Sequence, residues 1–299
     1  MEAGSTVSAV RSTKVLIGDE VRPALITIKD GKIHNILPDP GASAHDGGEV
    51  LDVGDSVVMP GLVDCHVHVN EPGRTIWEGY WTATQAAAAG GVTTIVDMPL
   101  NSIPPTTSLM NFHEKLQAAT GQCFVDTAFW GGVVPGNQLE LRPMVQAGVA
   151  GFKCFLIHSG VDEFPHFHAE QEVHPPPAEN GGLPLFWTSA HKRGFAFPDV
   201  VKLLCKEPAR LCRLDNQKGS LMPGHDADLV IWDPEKEFTV KEENIHHKNK
   251  LTPYLGLTLC GEVKGTIVRG KLVYFNGSFS PQPLGQSLLI NQTLNLASL

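Results

Sequence analysis

The chain has 299 residues, of which 42% are apolar and 18% charged, and a formal net charge of −9. That length supports a sizeable core in one or two domains, and the composition is that of a globular protein rather than a disordered one. The negative balance argues against a nucleic-acid-binding face or a polybasic membrane anchor, and no apolar run approaches the length of a membrane helix. Six cysteines, at positions 65, 123, 154, 205, 212 and 260, form no C-x-x-C pair and read as reduced thiols of a cytoplasmic protein. The stretch Met1 to Lys14 is polar and lacks the apolar centre of a secretory signal. The final Ala297-Ser298-Leu299 is a faint match to a peroxisomal tripeptide, so a mitochondrial or peroxisomal location stays open.

Along the chain, Lys14–Ile17, Ala24–Lys29 and Lys32–Leu37 are expected as short strands, with Asp30-Gly31 as a hairpin turn. Residues 38–49 form a polar loop rich in Gly, Ala and Asp. From residue 59 the pattern changes to alternation. Strands are expected at Leu62–Val69, Val92–Met98, Phe124–Trp130 and Gly151–Ile157, and helices at Trp77–Ala89, Thr107–Ala119 and Asn137–Ala147. Strands alternating with helices of this length indicate βαβ units and a parallel sheet, here four strands and three helices of a (β/α) barrel. Residues 161–182, rich in His, Pro, Glu and Gly, break the pattern. Order resumes at Leu183–Ala190 and in an amphipathic helix at Pro198–Leu214. Strands follow at Asp228–Trp232, Val263–Arg269 and Leu272–Phe275, and Asn276-Gly277 forms a turn. The expected fold is therefore α/β: an incomplete (β/α) barrel plus a small β-sandwich formed by both chain ends. Residues 1–58 and 219–285 make up the sandwich and 59–218 the barrel, shortened between 158 and 182, with 286–299 as a tail.

Asp64-Cys65-His66-Val67-His68 carries the strongest chemical signal. Residues i and i+2 of a strand face the same way, so both imidazoles point to one side and can share a metal at the mouth of a barrel. Alone, the pair serves equally well as two unrelated polar residues at a strand end. Lys153, in the otherwise apolar Gly151–Phe155 strand, is the second signal. Burial favours a neutral amine, which can react with carbon dioxide to give a carbamate whose two oxygens bridge two metals. The plainer reading is a lysine with a buried stem and a solvated head, and the upstream His-x-His tips the balance towards metal. His168 is a candidate ligand on a fifth strand, with His166 and His174 as nearby rivals.

These residues sit in long flanking motifs. Met59-Pro-Gly-Leu-Val-Asp-Cys-His-Val-His68, Asn70-Glu-Pro-Gly-Arg-Thr75, Gly90-Gly-Val-Thr-Thr-Ile-Val-Asp-Met-Pro99 with Asn101, and Lys218-Gly-Ser-Leu-Met-Pro-Gly224 with Asp226-Ala-Asp-Leu-Val-Ile-Trp-Asp-Pro234 together resemble the allantoinase family of cyclic amidohydrolases. The resemblance covers roughly residues 10–170 and 183–278. Dihydroorotases carry an arginine where this chain has Asn70, and dihydropyrimidinases lack the Glu71-Pro72-Gly73-Arg74 segment, so both are less similar. The resemblance implies hydrolytic opening of the hydantoin ring of allantoin to allantoate at two divalent metal ions, with zinc expected, in a homo-oligomer. By the same resemblance His66 and His68 hold the first metal, carbamylated Lys153 bridges, His168 helps hold the second, and Asn101 and Arg74 are substrate or loop contacts.

The family also requires a histidine from the sixth strand and an aspartate from a late strand. Neither has a recognisable counterpart here. Between Ile157 and Leu183 lie 25 residues, room for about one βα repeat of about 30 residues. Asp162 and Asp199 lack a strand-end context, and His158, His174 and His191 are substitutes without a supporting pattern. Three expectations follow: a truncated allantoinase-like hydrolase with impaired activity, a catalytically inactive oligomer subunit or scaffold, or a dihydropyrimidinase-like cyclic amidase.

Overall fold

The structure, a computed structural model, describes residues 1–38, 49–166 and 182–290. Both chain ends build a nine-stranded sheet. Its N-terminal strands are β1 (Ala9–Ile17), β2 (Glu20–Lys29), β3 (Lys32–Pro38), β4 (Val50–Asp52) and β5 (Val57–Pro60). In the turn between β2 and β3, Asp30 and Gly31 both have positive φ, 52° and 75°, the backbone of the expected hairpin turn. β4 and β5, which the sequence does not announce, are short strands that pair in parallel with β1.

Four parallel strands follow in the order β6 (Leu62–Val67), β7 (Val92–Asp97), β8 (Asp126–Gly132) and β9 (Gly151–Lys153). Between them run α1 (Tyr80–Ala89), α2 (Leu109–Ala119) and α3 (Gln138–Ala147). Successive strand residues point to opposite faces. Leu62, Ile95 and Phe129 pack outwards with Tyr80, Phe112 and Met144 of the helices. Val63, Val96, Ala128 and Ala150 form the inner face, covered by Ala209, Cys212, Leu214 and Ile290. β9 is shorter than the expected Gly151–Ile157. Beyond Lys153 the chain folds back, and Phe155 and Phe164 pack at 5.9 Å in a cluster with Met98 and Leu100.

After α4 (Gly182–Ala190), the predicted helix over 198–214 appears as α5 (Phe197–Val201), a π-helical turn (Lys202–Lys206) and α6 (Glu207–Leu211). Pro208 has no N–H to give the preceding turn, which accounts for the wider spacing before it. The sheet is completed by β10 (Leu229–Thr239), β11 (Thr258–Val268), β12 (Lys271–Phe275) and β13 (Ser278–Phe279). β10 lies antiparallel to β5, joining the two chain ends. The sheet curls around one interior, where Val10, Ile26, Ile33, Val58, Ile231, Ile267 and Leu272 meet, giving the sandwich-like body that the strand pattern predicts. Among the described residues, no helix is long and apolar enough to cross a membrane.

The two sheets are joined by a buried ionic knot. Lys218 Nζ lies 2.6 Å from Asp126 at the start of β8, and 2.8 and 2.7 Å from Asp226 and Asp228 before β10. Arg269 Nε reaches Asp126 at 3.0 Å, and Gln286 N–H donates to the same carboxylate at 2.8 Å. Burial pulls the Lys218 ammonium down, but Asp228, Asp126 and Asp226 together outweigh it and hold its pKa above the ordinary lysine range. This contribution is therefore present at neutral pH and is lost in strong alkali as the ammonium deprotonates; it also weakens on acidification, because burial raises Asp228 to about 6 and that carboxylate partner is then neutralised. Lys218→Ala leaves three buried carboxylates without their main counter-charge. It is expected to cost about 3–5 kcal/mol, measured by urea unfolding at neutral pH, and a loss below 1 kcal/mol would refute a role for the knot in joining the sheets.

Candidate metal centre at the mouth of the half-barrel

Active sites of barrel enzymes form at the C-terminal ends of the parallel strands. His66 lies near the end of β6 and His68 just beyond it, and their ring centroids are 5.4 Å apart. Asp64 fixes the strand end by accepting the His66 N–H at 3.0 Å. Beneath them lies an anchor that the sequence reading missed. Asp97, fully buried at the end of β7, accepts from Val69 N–H at 3.0 Å, the Tyr80 hydroxyl at 2.9 Å and Lys115 Nζ at 2.7 Å. Lys115 also donates to the Met98 carbonyl at 2.9 Å. This network ties the residue after His68 to β7, α1 and α2. A lysine on the apolar face of a predicted helix and an aspartate closing a predicted strand were its sequence signals.

Burial disfavours charge on both imidazoles. Burial, with the Lys153 charge, lowers the pKa of His66. Burial lowers His68 to about 4; Asp97 opposes this, while His66, Lys115 and Lys153 reinforce it. Neutral imidazole is the form that ligates a metal, so the donor set fits a divalent ion. Lys153 ends β9 with its ammonium 5.0 Å from the Phe155 ring. The described residues thus gather His66, His68 and Lys153 at one mouth. A cavity of about 550 Å³ borders His66, His68 and Asn70, and the buried Asn70 Oδ1 has no hydrogen-bond partner among the described residues.

Arg74 and Asn101 also reach this mouth, but both are engaged within the protein. Arg74 donates to the Asn101 carbonyl at 3.0 Å, pairs with Glu163, and stacks 4.7 Å over Trp77. The Asn101 amide lies 3.2 Å from His68 Nδ1. His168 and His174 fall outside the described residues. His158 is exposed and packs 5.7 Å from His166. The His191 ring packs at a tilt against Trp187, centroids 4.7 Å apart, and Trp187 in turn meets Trp232 of β10 edge-on. Asp199 accepts the Ala196 N–H at 2.8 Å and so caps α5. Asp126, Asp226 and Asp228 also converge, with carboxylate oxygens within 4.8 Å of one another. They stand at the opposite, N-terminal end of β8, and the Lys218 ammonium already fills the space between them.

Paired strand-end histidines and a lysine meet at the C-terminal mouth of four parallel strands, the frame of a (β/α) barrel. The chain belongs to the amidohydrolase family: two amidohydrolase family models match residues 57–174 and 189–274. It is 52% identical over 236 residues to the mitochondrial allantoinase of Aquarana catesbeiana, covering 71% of this chain and 49% of that protein. The chain therefore spans about half the length of that relative. It is 32% identical to the allantoinase of Streptomyces avermitilis along 437 positions, covering 93% of this chain and 98% of the relative. Because 93% of 299 residues fill those 437 positions, roughly 160 positions have no counterpart here. L-hydantoinase (dihydropyrimidinase) from Arthrobacter aurescens superposes with a TM-score of 0.85 at 22% identity, over 95% of this chain and 100% of that one. D-hydantoinase from Thermus sp. gives 0.79 at 17% identity, over 95% and 99%.

The anchor under the histidines is testable apart from catalysis. Tyr80→Phe removes one hydrogen bond to a buried carboxylate and should cost about 1.5–3 kcal/mol in chemical denaturation. An unchanged midpoint would show that Asp97 does not need this donor.

Proposed function

We propose that this chain is a shortened allantoinase-type hydrolase that opens the hydantoin ring of allantoin to allantoate with impaired turnover. The observation that carries the reading is the placement of His66 and His68, ring centroids 5.4 Å apart, beside Lys153 at the strand ends. The likeness to allantoinases on both sides of the missing stretch supports the substrate. His66 and His68 would hold a first divalent ion, Lys153 carboxylated by CO2 would bridge to a second, and His168 would help hold that one. When bound, two such ions, zinc by the donor set, lower the pKa of water and stabilise charge on the attacked carbonyl oxygen. Asn70 would orient the ring, its buried Oδ1, which has no hydrogen-bond partner among the described residues, accepting a ring N–H.

The impairment follows from the same inventory. Proton transfer to the departing nitrogen needs a carboxylate free to exchange a proton. Asp97 is held by Val69, Tyr80 and Lys115, and Asp64 by the His66 N–H. We further propose two folding units, 1–58 with 219–285 and 59–218, in a cytoplasmic homo-oligomer. The six free cysteines support a reducing compartment.

Zinc content by mass spectrometry and allantoin turnover of the purified chain test the proposal together. The expected result is zinc uptake that His66→Ala abolishes, with turnover about 10²–10⁴-fold below that of a full-length relative, the usual worth of an acid–base group. Two metals per chain with ordinary turnover would overturn the impairment. A folded chain that takes up no zinc would favour the non-catalytic subunit.

A further inference from the structure

The geometry points to Asn101 as a positioning residue for His68, held in place by Arg74 and Glu163. This rests on the metal reading of the His66–His68 pair and adds to it a role for a chain of residues not in that ligand set. An imidazole has two ring nitrogens, and the one that ligates a metal must present its lone pair. Asn101 occupies His68 Nδ1 at 3.2 Å, which leaves Nε2 for a metal. With the lone pair on Nε2, the ring proton sits on Nδ1, and the facing group must accept it. A carboxamide can do so, because its oxygen and nitrogen exchange places by rotation about the last side-chain bond. In the structure the amide nitrogen faces Nδ1. With metal bound, the amide turns over and its oxygen accepts from Nδ1–H.

The backbone is arranged to keep this amide in place. Asn101 adopts φ 69°, a left-handed conformation that asparagine tolerates better than most residues. Its carbonyl accepts from Arg74, whose guanidinium is fixed by Glu163 and by Trp77 beneath it. The neighbouring loops interlock as well. Ile103 N–H donates to the Pro72 carbonyl at 2.8 Å, and a Cβ added to Gly73 would come within 2.5 Å of the Ile103 carbonyl. The backbone carbonyl and the side-chain amide nitrogen of Asn101 are therefore both engaged by the protein.

Two substitutions and one spectrum test this. Asn101→Gly deletes the amide while keeping a residue suited to positive φ; Asn101→Asp keeps an acceptor oxygen and loses the donor. Zinc affinity, read by competition with a chromogenic chelator, is expected to fall about 10–100-fold in Asn101→Gly, the usual effect of losing a partner of a ligating histidine. Asn101→Asp should stay within a few-fold of the parent chain. Nitrogen-15 NMR of the zinc-loaded parent should show His68 protonated on Nδ1, and Asn101→Gly should lose that protected proton. Unchanged zinc affinity in Asn101→Gly, or equal weakening in both variants, would overturn the inference. Unchanged zinc affinity with a raised KM for allantoin would return Asn101 to the substrate. A parent chain that binds no zinc would overturn the metal reading first and this inference with it.

Discussion

A lysine ammonium enclosed by three carboxylates holds this molecule together. Lys218 is nearly inaccessible, and so are Asp126, Asp226 and Asp228. Stripping water from four charged groups is costly unless each finds a partner at hydrogen-bond distance. Here the partners come from both sheets: Asp126 opens a barrel strand, and Asp228 leads into β10 of the curled sheet. Two further cations, Arg269 on Asp126 and Lys32 on Asp226, balance the excess negative charge, and Arg269 also donates to the Leu284 carbonyl at 2.6 Å. The relative position of the two bodies is thus fixed by chemistry that a small displacement would ruin. A second junction lies at Gly91, between α1 and β7, where an added Cβ would meet Val230 of β10 at 2.6 Å.

The half-barrel shows how far the active-site frame survives without closure. Its helices pack on the outer face as in any βα unit, and the inner face is covered by Leu214, Cys212 and Ile290 in place of an opposing wall of strands. The parts that orient His66 and His68 are local to the first two strands and their loops. They depend on Asp97, Tyr80, Lys115 and Asn101 and not on strands further round. The paired histidines therefore keep their geometry through contacts local to the first two strands.

Much of this was legible in the residues. The His-x-His spacing and the lone lysine of an apolar strand carry their meaning locally, because strand periodicity alone puts side chains on one face. The turns at Asp30-Gly31 and Asn276-Gly277 were legible for the same reason. The short strands β4 and β5 were not, since their pairing with β1 is decided by distant segments. The end of β9 was overestimated because Phe155 has the character of a strand residue but packs against Phe164 in a returning loop. Asp97 and Lys115 give no hint of each other in sequence. Lys218 stood out within a flanking motif, yet its partner Asp126 lies 92 residues earlier. Arg74 and Asn101 were read as substrate or loop contacts, and their partners within the protein, Glu163 and His68, are set by segments distant in sequence.

The segment around Gln286 adds a consequence for the order of assembly. Its N–H bonds Asp126, 160 residues upstream, while Thr127 N–H donates to the Gln286 carbonyl and Ile290 N–H to that of Gly148. The floor of the half-barrel is thus laid by residues that leave the ribosome long after β8 itself. Until they arrive, the aspartate and the apolar inner face wait without their native cover, and closing such distant contacts is slow compared with forming local helices. The nascent chain passes through a stage in which its charged junction and its apolar interior are both exposed. During synthesis this is the interval in which chaperone binding or aggregation competes with folding.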